Sequence, residues 1–230
     1  MRRITTAMST RAFYARKLFE LSGLVPLGVF LVQHFYENFQ VVGPGGAQRF
    51  DHIVVELQTN PAIVYAELAG IGLPILYHAA YGLFVAQMAR PNNGEYGYLR
   101  NWTYLLQRVS GLLLVGFIGY HVYKTRLYPV VHPEDGLLQH VGGEPLVSTA
   151  YMHRYLGERL LGVRVVWLYL AGVACAVYHL ANGLWNLGVH WGLLISRRAQ
   201  QGAGWLCLGL GAALFYLGAR SALTFYLMGS

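Results

Sequence analysis

The sequence predicts an all-α, polytopic membrane protein: a single domain over residues 1–230 with five transmembrane helices, four of them forming a cofactor-binding bundle. Three observations carry the fold. Hydrophobic residues make up 55% of the 230, and Asp, Glu, Lys and Arg only 12%, about half the charged share of a soluble domain. The mean hydropathy is +0.39, and so few charges cannot clothe a soluble surface. The apolar residues also gather in five runs of the roughly 17–25 residues that cross a bilayer, about 19–40, 62–89, 102–127, 159–191 and 204–228. None alternates with the period of two that a barrel strand requires, so the spans are helices.

Taken in order, the first run follows a basic segment, Met1 to Lys17, as a signal peptide would. No small-residue cleavage site follows it, and it ends in Tyr36-Glu37-Asn38, which predicts an uncleaved first span. Met8 is an alternative start, since the patterned sequence begins near Phe13. The second and fourth runs are long enough to tilt or to project beyond the hydrocarbon. Connections are short except 128–158, which holds Pro129, Pro133, Gly136, Gly142, Gly143 and Pro145. No internal repeat stands out.

The formal charge of +7, from 17 Lys and Arg against 10 Asp and Glu, sets orientation rather than nucleic-acid binding, because the basic residues lie at span ends and form no clustered face. Arg2, Arg3, Arg11, Arg16 and Lys17 precede the first span. Arg90, Arg100 and Arg108 flank the second connection, and Arg197 and Arg198 the fourth. Eight of the ten acids fall on the other side. The N-terminus is therefore expected in the cytoplasm and the C-terminus outside. Trp102, Trp185, Trp191 and Trp205 fall near the inner helix ends, as an aromatic belt would. Cys175 and Cys207 both lie in apolar segments and read as small buried hydrophobes.

Ionisable residues inside a membrane are costly and mark function. His34, His78, His121 and His179 lie one on each of the first four spans. Measured at about 1.5 Å per residue, His78 and His179 sit roughly 15–20 Å from the inner helix ends, and His34 and His121 roughly 24–29 Å. Two pairs at two depths result, each joining helices that a four-helix bundle places across its core. Two imidazoles at one depth with a flat ring between them describe bis-histidine haem. Zinc, which wants four ligands at one point, and a proton relay, which would be expected to carry more core acids than Glu67, are the rivals. The faces agree with a cofactor core: His179, Asn182, Gly183, Asn186 and His190 form one stripe, and Gln107, Ser110, His121, Lys124 and Thr125 another. Gly82, Gly119 and Gly183 are candidates to admit a macrocycle edge or simply to let helices approach.

At these residues the chain resembles the five-helix, di-haem cytochrome b subunits of succinate:quinone oxidoreductases from Gram-positive and related bacteria, of cytochrome b558 type. The matching pieces are Phe13-Tyr14-Ala15-Arg16-Lys17-Leu18, Phe30-Leu31-Val32-Gln33-His34 and Leu76-Tyr77-His78-Ala79-Ala80-Tyr81-Gly82. They continue with Tyr98-Leu99-Arg100-Asn101-Trp102, Leu106-Gln107-Arg108-Val109-Ser110-Gly111, His121-Val122-Tyr123-Lys124-Thr125-Arg126 and Tyr178-His179-Leu180-Ala181-Asn182-Gly183-Leu184-Trp185. They touch four of the five spans in order. The resemblance implies two haem b groups, with His78 and His179 on the inner iron and His34 and His121 on the outer. It also implies a location in the bacterial cytoplasmic membrane. Flavoprotein and iron–sulfur subunits would dock on the cytoplasmic side, with the whole complex a candidate oligomer, and electrons would pass through both haems to a quinone, expected to be menaquinone. The loop 128–158 and the N-terminus are longer than the family suggests.

Haem propionates need cationic or hydrogen-bonding partners at such depth. Gln107 and Arg108 are the candidates at the inner haem, with Arg16, Lys17 and Arg100 behind them; Arg126, Arg159 and Arg164 are the outer ones. Reducing a quinone takes two protons. Glu67, eleven residues before His78 on the same face and near the outer haem's expected level, is a candidate quinone-site acid, with Glu56 a weaker one. No flavin or iron–sulfur motif is present, so succinate chemistry is expected on partner chains. The competing functions are a quinol:fumarate reductase subunit, the cytochrome of another membrane oxidoreductase, and a histidine proton-relay transporter. His52, His132, His140 and His153 read as surface residues.

Overall fold

The computed structural model describes residues 10–228, and it contains five helices long and apolar enough to cross a membrane. The first spans Thr10–Phe39 as two pieces, α1 (Thr10–Leu24) and α2 (Pro26–Phe39). The break falls at Val25 because Pro26 has no amide to donate and a fixed φ suited to a first helical position. The helix starts nine residues before the apolar run does. Arg11, Arg16 and Lys17 are helical but lower the hydropathy, and their long stems let charged ends reach water.

A tight turn follows, with Gly43 at φ 87° and Gly45 at φ 69°, and it reverses the chain into α3 (Gly46–Thr59). Arg49 on α3 donates to the carbonyls of Gln40, Val42 and Pro44 at 3.2, 2.9 and 2.6 Å, satisfying backbone acceptors that the end of α2 and the turn leave open. Hydropathy alone predicts no more than a connection here. The segment is an amphipathic helix whose Gly46, Phe50 and Val54 are buried at intervals of four, and its polar share hid it from a search for spans.

The second span, Pro61–Gln87, consists of α4 (Pro61–Glu67), a π-helical turn at Leu68–Gly72, and α5 (Leu73–Gln87). The third, Leu99–Val131, consists of α6 (Leu99–Val122), a π-helical turn at Tyr123–Leu127, and α7 (Tyr128–Val131). Each π turn precedes a proline, Pro74 or Pro129. A proline ring removes the amide that would bond four residues back, and the ladder shifts instead: Leu73 N–H donates to Leu68 O and Tyr128 N–H to Tyr123 O.

Residues 132–164 are ordered, not an open loop. They contain a hairpin of β1 (Gln139–Val141) and β2 (Glu144–Leu146), then α8 (Thr149–Gly157), then a second hairpin of β3 (Arg159–Leu160) and β4 (Val163–Arg164). Ser148 caps α8 by accepting from Tyr151 N–H at 3.1 Å, and Asp51 of α3 accepts from Thr149 N–H at 2.9 Å. The fourth span therefore begins at Val165 rather than 159, because Gly162 at φ 84° and Leu161 at φ 51° turn the chain first. That span is α9 (Val165–His190), and the fifth is α10 (Arg197–Leu227), capped by Ser196.

Around the bundle, the first span packs on the second, the second on the third, the third on the fourth, and the fourth on the first. The first and third spans thus face each other across the core, as do the second and fourth. α10 lies outside this square, against α9 and α2. The tightest packing is at the end remote from Thr10, where α3, α8, the start of α9 and the end of α10 enclose Tyr151, Tyr155, Leu156, Val165, Val166 and Phe225.

In this cap Asp135 accepts from the Leu137 amide, from the Tyr128 hydroxyl and from Arg154. Burial alone would push its carboxyl up; the Leu137 amide, Arg154 and Tyr128 outweigh that and hold it below its ordinary value of 3.8. A depressed carboxyl stabilises the fold above the unfolded-state value and loses that contribution as pH falls through the folded one. Asp135→Asn is expected to melt at a lower temperature than the parent at pH 7, with the gap closing below pH 3.8, as thermal scans across pH would record.

Candidate functional site

The square arrangement brings the four span histidines together in two pairs. His34 of α2 and His121 of α6 have ring centroids 5.7 Å apart at 76°. His78 of α5 and His179 of α9 are 6.2 Å apart at 84°. Each pair joins opposite spans. Among the described residues no group of three or more His, Cys, Asp or Glu converges, so the histidines form pairs and not a four-ligand nest.

Every ring is held through Nδ1. His121 Nδ1 lies 2.9 Å from the Tyr169 hydroxyl on α9, and His179 Nδ1 lies 3.1 Å from Ser110 Oγ on α6. His78 Nδ1 meets Phe19 O at 3.1 Å and Ser22 Oγ at 3.3 Å on α1. His34 has the loosest hold, Asn38 of its own helix at 3.4 Å. Among the described residues no hydrogen bond reaches any of the four Nε2 atoms. Aromatic faces fix the ring planes: Phe19 stacks on His78 at 4.5 Å, Phe30 on His34 at 5.2 Å and Phe117 on His121 at 6.1 Å.

That geometry fits a metal held between two imidazoles. Bonds of about 2 Å from a metal to each Nε2, with each ring centre about 1 Å further out, set the centroids roughly 6 Å apart. Both pairs have that separation. A ligating imidazole also needs its other nitrogen to donate to a partner, which the Nδ1 contacts of His78, His179 and His121 supply, whereas His34 Nδ1 faces the Asn38 amide donor. The site that these residues build suits a planar macrocycle with two axial nitrogens better than a tetrahedral ion.

Gln107 lies between α6 and α9, donating to His179 O at 3.1 Å and accepting from Asn182 at 2.6 Å. It thereby fixes the helix that carries His179. Arg108 covers the Tyr104 ring at 3.4 Å and donates to Tyr104 O, while its buried Nε has no hydrogen-bond partner. The other basic candidates are engaged. Arg16 and Lys17 meet Glu20, Arg100 bonds Gln200, and Arg159 and Arg164 bond the carbonyls of Gly162 and Gly157 in their own turn.

Glu67 pairs with Arg126. The pair bridges the second and third spans, with Glu67 immediately before one π turn and Arg126 within the other. Glu56 is elsewhere: it lies on α3, largely exposed, 3.7 Å from His52, and nothing brings it to the histidines. His132 meets Glu134, His140 the carbonyl of Pro133, and His153 the carbonyl of Phe225.

Three features escaped the sequence reading. Glu20, at 11% side-chain exposure, gathers His190 Nδ1 at 3.2 Å, Trp191 Nε1 at 2.9 Å and Lys17 Nζ at 3.4 Å, tying the first span to the end of the fourth. Tyr169 holds His121 from the next helix. The glycines against the rings are Gly23 and Gly111, where a Cβ would come within 2.4 Å of His78 and 2.9 Å of His179. The glycines singled out from sequence lie elsewhere: Gly82 faces Phe19, Gly183 faces Gln107, and Gly119 faces open space.

No family model matches the chain. Among curated proteins it is 33% identical over 216 residues to a succinate dehydrogenase cytochrome b558 subunit from Bacillus subtilis (strain 168), covering 94% of this chain and 98% of the relative.

Removing the Tyr169 hydroxyl would leave His121 Nδ1 buried and unpaired, a loss of about 1–3 kcal/mol. Tyr169→Phe is expected to lower the thermal midpoint of the purified chain accordingly, while Tyr216→Phe on α10, whose ring is exposed, should leave it unchanged.

Proposed function

The chain belongs to the succinate dehydrogenase cytochrome b558 subunit family, and from that premise we propose how its histidines and acids serve electron transfer to quinone. The family places it as the multi-pass membrane-anchor cytochrome b of an oxidoreductase complex in the cytoplasmic membrane, and a cytochrome b carries haem b.

His78 and His179 hold the iron of an inner haem, and His34 and His121 that of an outer one. The observation that carries this reading is the pair of opposed imidazole contacts at 6.2 and 5.7 Å with every Nδ1 engaged. Haem supplies a one-electron carrier at each level. Arg108, with its buried Nε unpaired, offers charge to an inner propionate, and Gln107 keeps the His179 helix in register beside it. The basic end of the bundle, where Arg16, Lys17 and Arg100 lie, faces the cytoplasm and receives the iron–sulfur subunit, with the flavoprotein beyond it. Electrons pass from that end outward to a quinone, menaquinone in this reading. Glu67, whose ionised carboxylate is held by Arg126, takes up a proton from the outer aqueous side and passes it to the reduced quinone. Glu56 plays no part, being paired with His52 on the surface of α3.

A redox titration of the purified complex, with haem and flavin quantified, tests the reading. Two b-type steps are expected. His78→Ala and His179→Ala should abolish the same step, and His34→Ala and His121→Ala the other. Glu67→Gln should leave both haems reducible by succinate while slowing quinone reduction by roughly a hundredfold or more, in the range a positioned acid contributes. A complex without a reducible b-type spectrum would overturn the assignment.

A further inference from the structure

One arrangement occurs twice in the bundle. On the first span Ser22 and Gly23 face His78; on the third, Ser110 and Gly111 face His179. Each serine hydroxyl donates to the carbonyl three residues earlier, Ser22 to Phe19 O at 2.9 Å and Ser110 to Gln107 O at 3.1 Å. With its single hydrogen committed there, the serine oxygen can only accept from the histidine. Phe19 O, 3.1 Å from His78 Nδ1, can likewise only accept. Both rings therefore carry their proton on Nδ1 and keep a lone pair on Nε2. Both serines are buried, at 7% and 5% exposure.

The following residue supplies the room. A Cβ on Gly23 would lie 2.4 Å from His78 Cε1, and one on Gly111 2.9 Å from His179 Cε1. In each case the span that carries an outer histidine also carries, ten to twelve residues earlier, the Ser-Gly pair that holds an inner histidine of the neighbouring span. The outer histidines are held by different groups, a tyrosine and an asparagine.

Resting on the haem reading proposed above, we infer that Ser22-Gly23 and Ser110-Gly111 are two copies of one clamp that fixes the tautomer of the inner histidine pair, making Ser22 and Ser110 positioning residues that set the potential of the inner haem alone. A hydrogen bond donated from Nδ1 raises the basicity of Nε2, which favours the more positive, oxidised iron. Losing it moves the inner potential upward. The two copies are not equal. Without Ser22, His78 still has Phe19 O; without Ser110, no other hydrogen bond among the described residues reaches His179 Nδ1.

The test is a redox titration of the intact purified complex, with haem counted per chain and the low-spin ferric signals recorded by electron paramagnetic resonance. The inner step is identified as the one that His179→Ala abolishes. Ser110→Ala is expected to move that step to higher potential and change its resonance position. Ser22→Ala should move it the same way by less, and the outer step should stay where it is. Ser110→Thr, which keeps the hydroxyl, should restore the parent potential, and it carries the test if Ser110→Ala fails to retain haem. Parent potentials for both steps in both alanine variants, an equal shift of the outer step, or haem loss in Ser110→Thr as well as Ser110→Ala would each overturn the clamp. A parent complex that binds no b-type haem would instead overturn the reading beneath it.

Discussion

A neutral imidazole at lipid depth has to have its protonated nitrogen paired, because no water is there to take the bond and an orphaned donor costs more than most contacts return. This chain meets that requirement for three of its four span histidines, and the rest of the bundle follows from it. His78 is paired by α1, His179 by α6 and His121 by α9, so all three bonds cross between neighbouring spans. Each one fixes the height and rotation of two helices at once. Ridge-and-groove packing alone would leave a helix free to slide by a turn; a bond between a named ring and a named hydroxyl does not.

The spans were legible in the sequence because hydropathy is a sum over some twenty residues and tolerates local errors. The depth pairing of the histidines was legible because helical rise is constant, so position in sequence converts to height. What stayed hidden depends on contacts between distant residues or on short amphipathic pieces. α3 has too many polar residues to stand out in a window scan, although Gly46, Phe50 and Val54 are spaced as a buried helical face. The cap at 132–164 read as a loop because its core is assembled from four separate stretches of chain. Gly23 and Gly111 were overlooked in favour of glycines closer in sequence to the ligands, yet the approach that matters comes from the helix next door. The repeat of Ser-Gly upstream of two histidines was visible as letters, but only the facing rings give it meaning.

The two ends of the bundle are built on different principles. At the end remote from Thr10, aromatic and aliphatic side chains are enclosed and the paired charges, such as Asp135 with Arg154, sit around them. At the other end the helix termini are joined by polar contacts, with Glu20 drawing Lys17, His190 and Trp191 to a single carboxylate. The first kind of packing closes a surface against water. The second leaves charge and hydrogen-bonding capacity at the rim, where soluble subunits of the same complex would meet the membrane.

The second span has no residue buried inside the protein, whereas α9 and α10 each bury seven. It is attached by few bonds: Tyr77 to Ala15 O at 2.7 Å, His78 to α1, and Glu67 to Arg126. Local stability tracks such attachment. Of the four walls of the square, the second span is the least enclosed. A rigid disc of fixed width can be accommodated by outward give of that wall, with the cap and the α9–α10 packing left undisturbed.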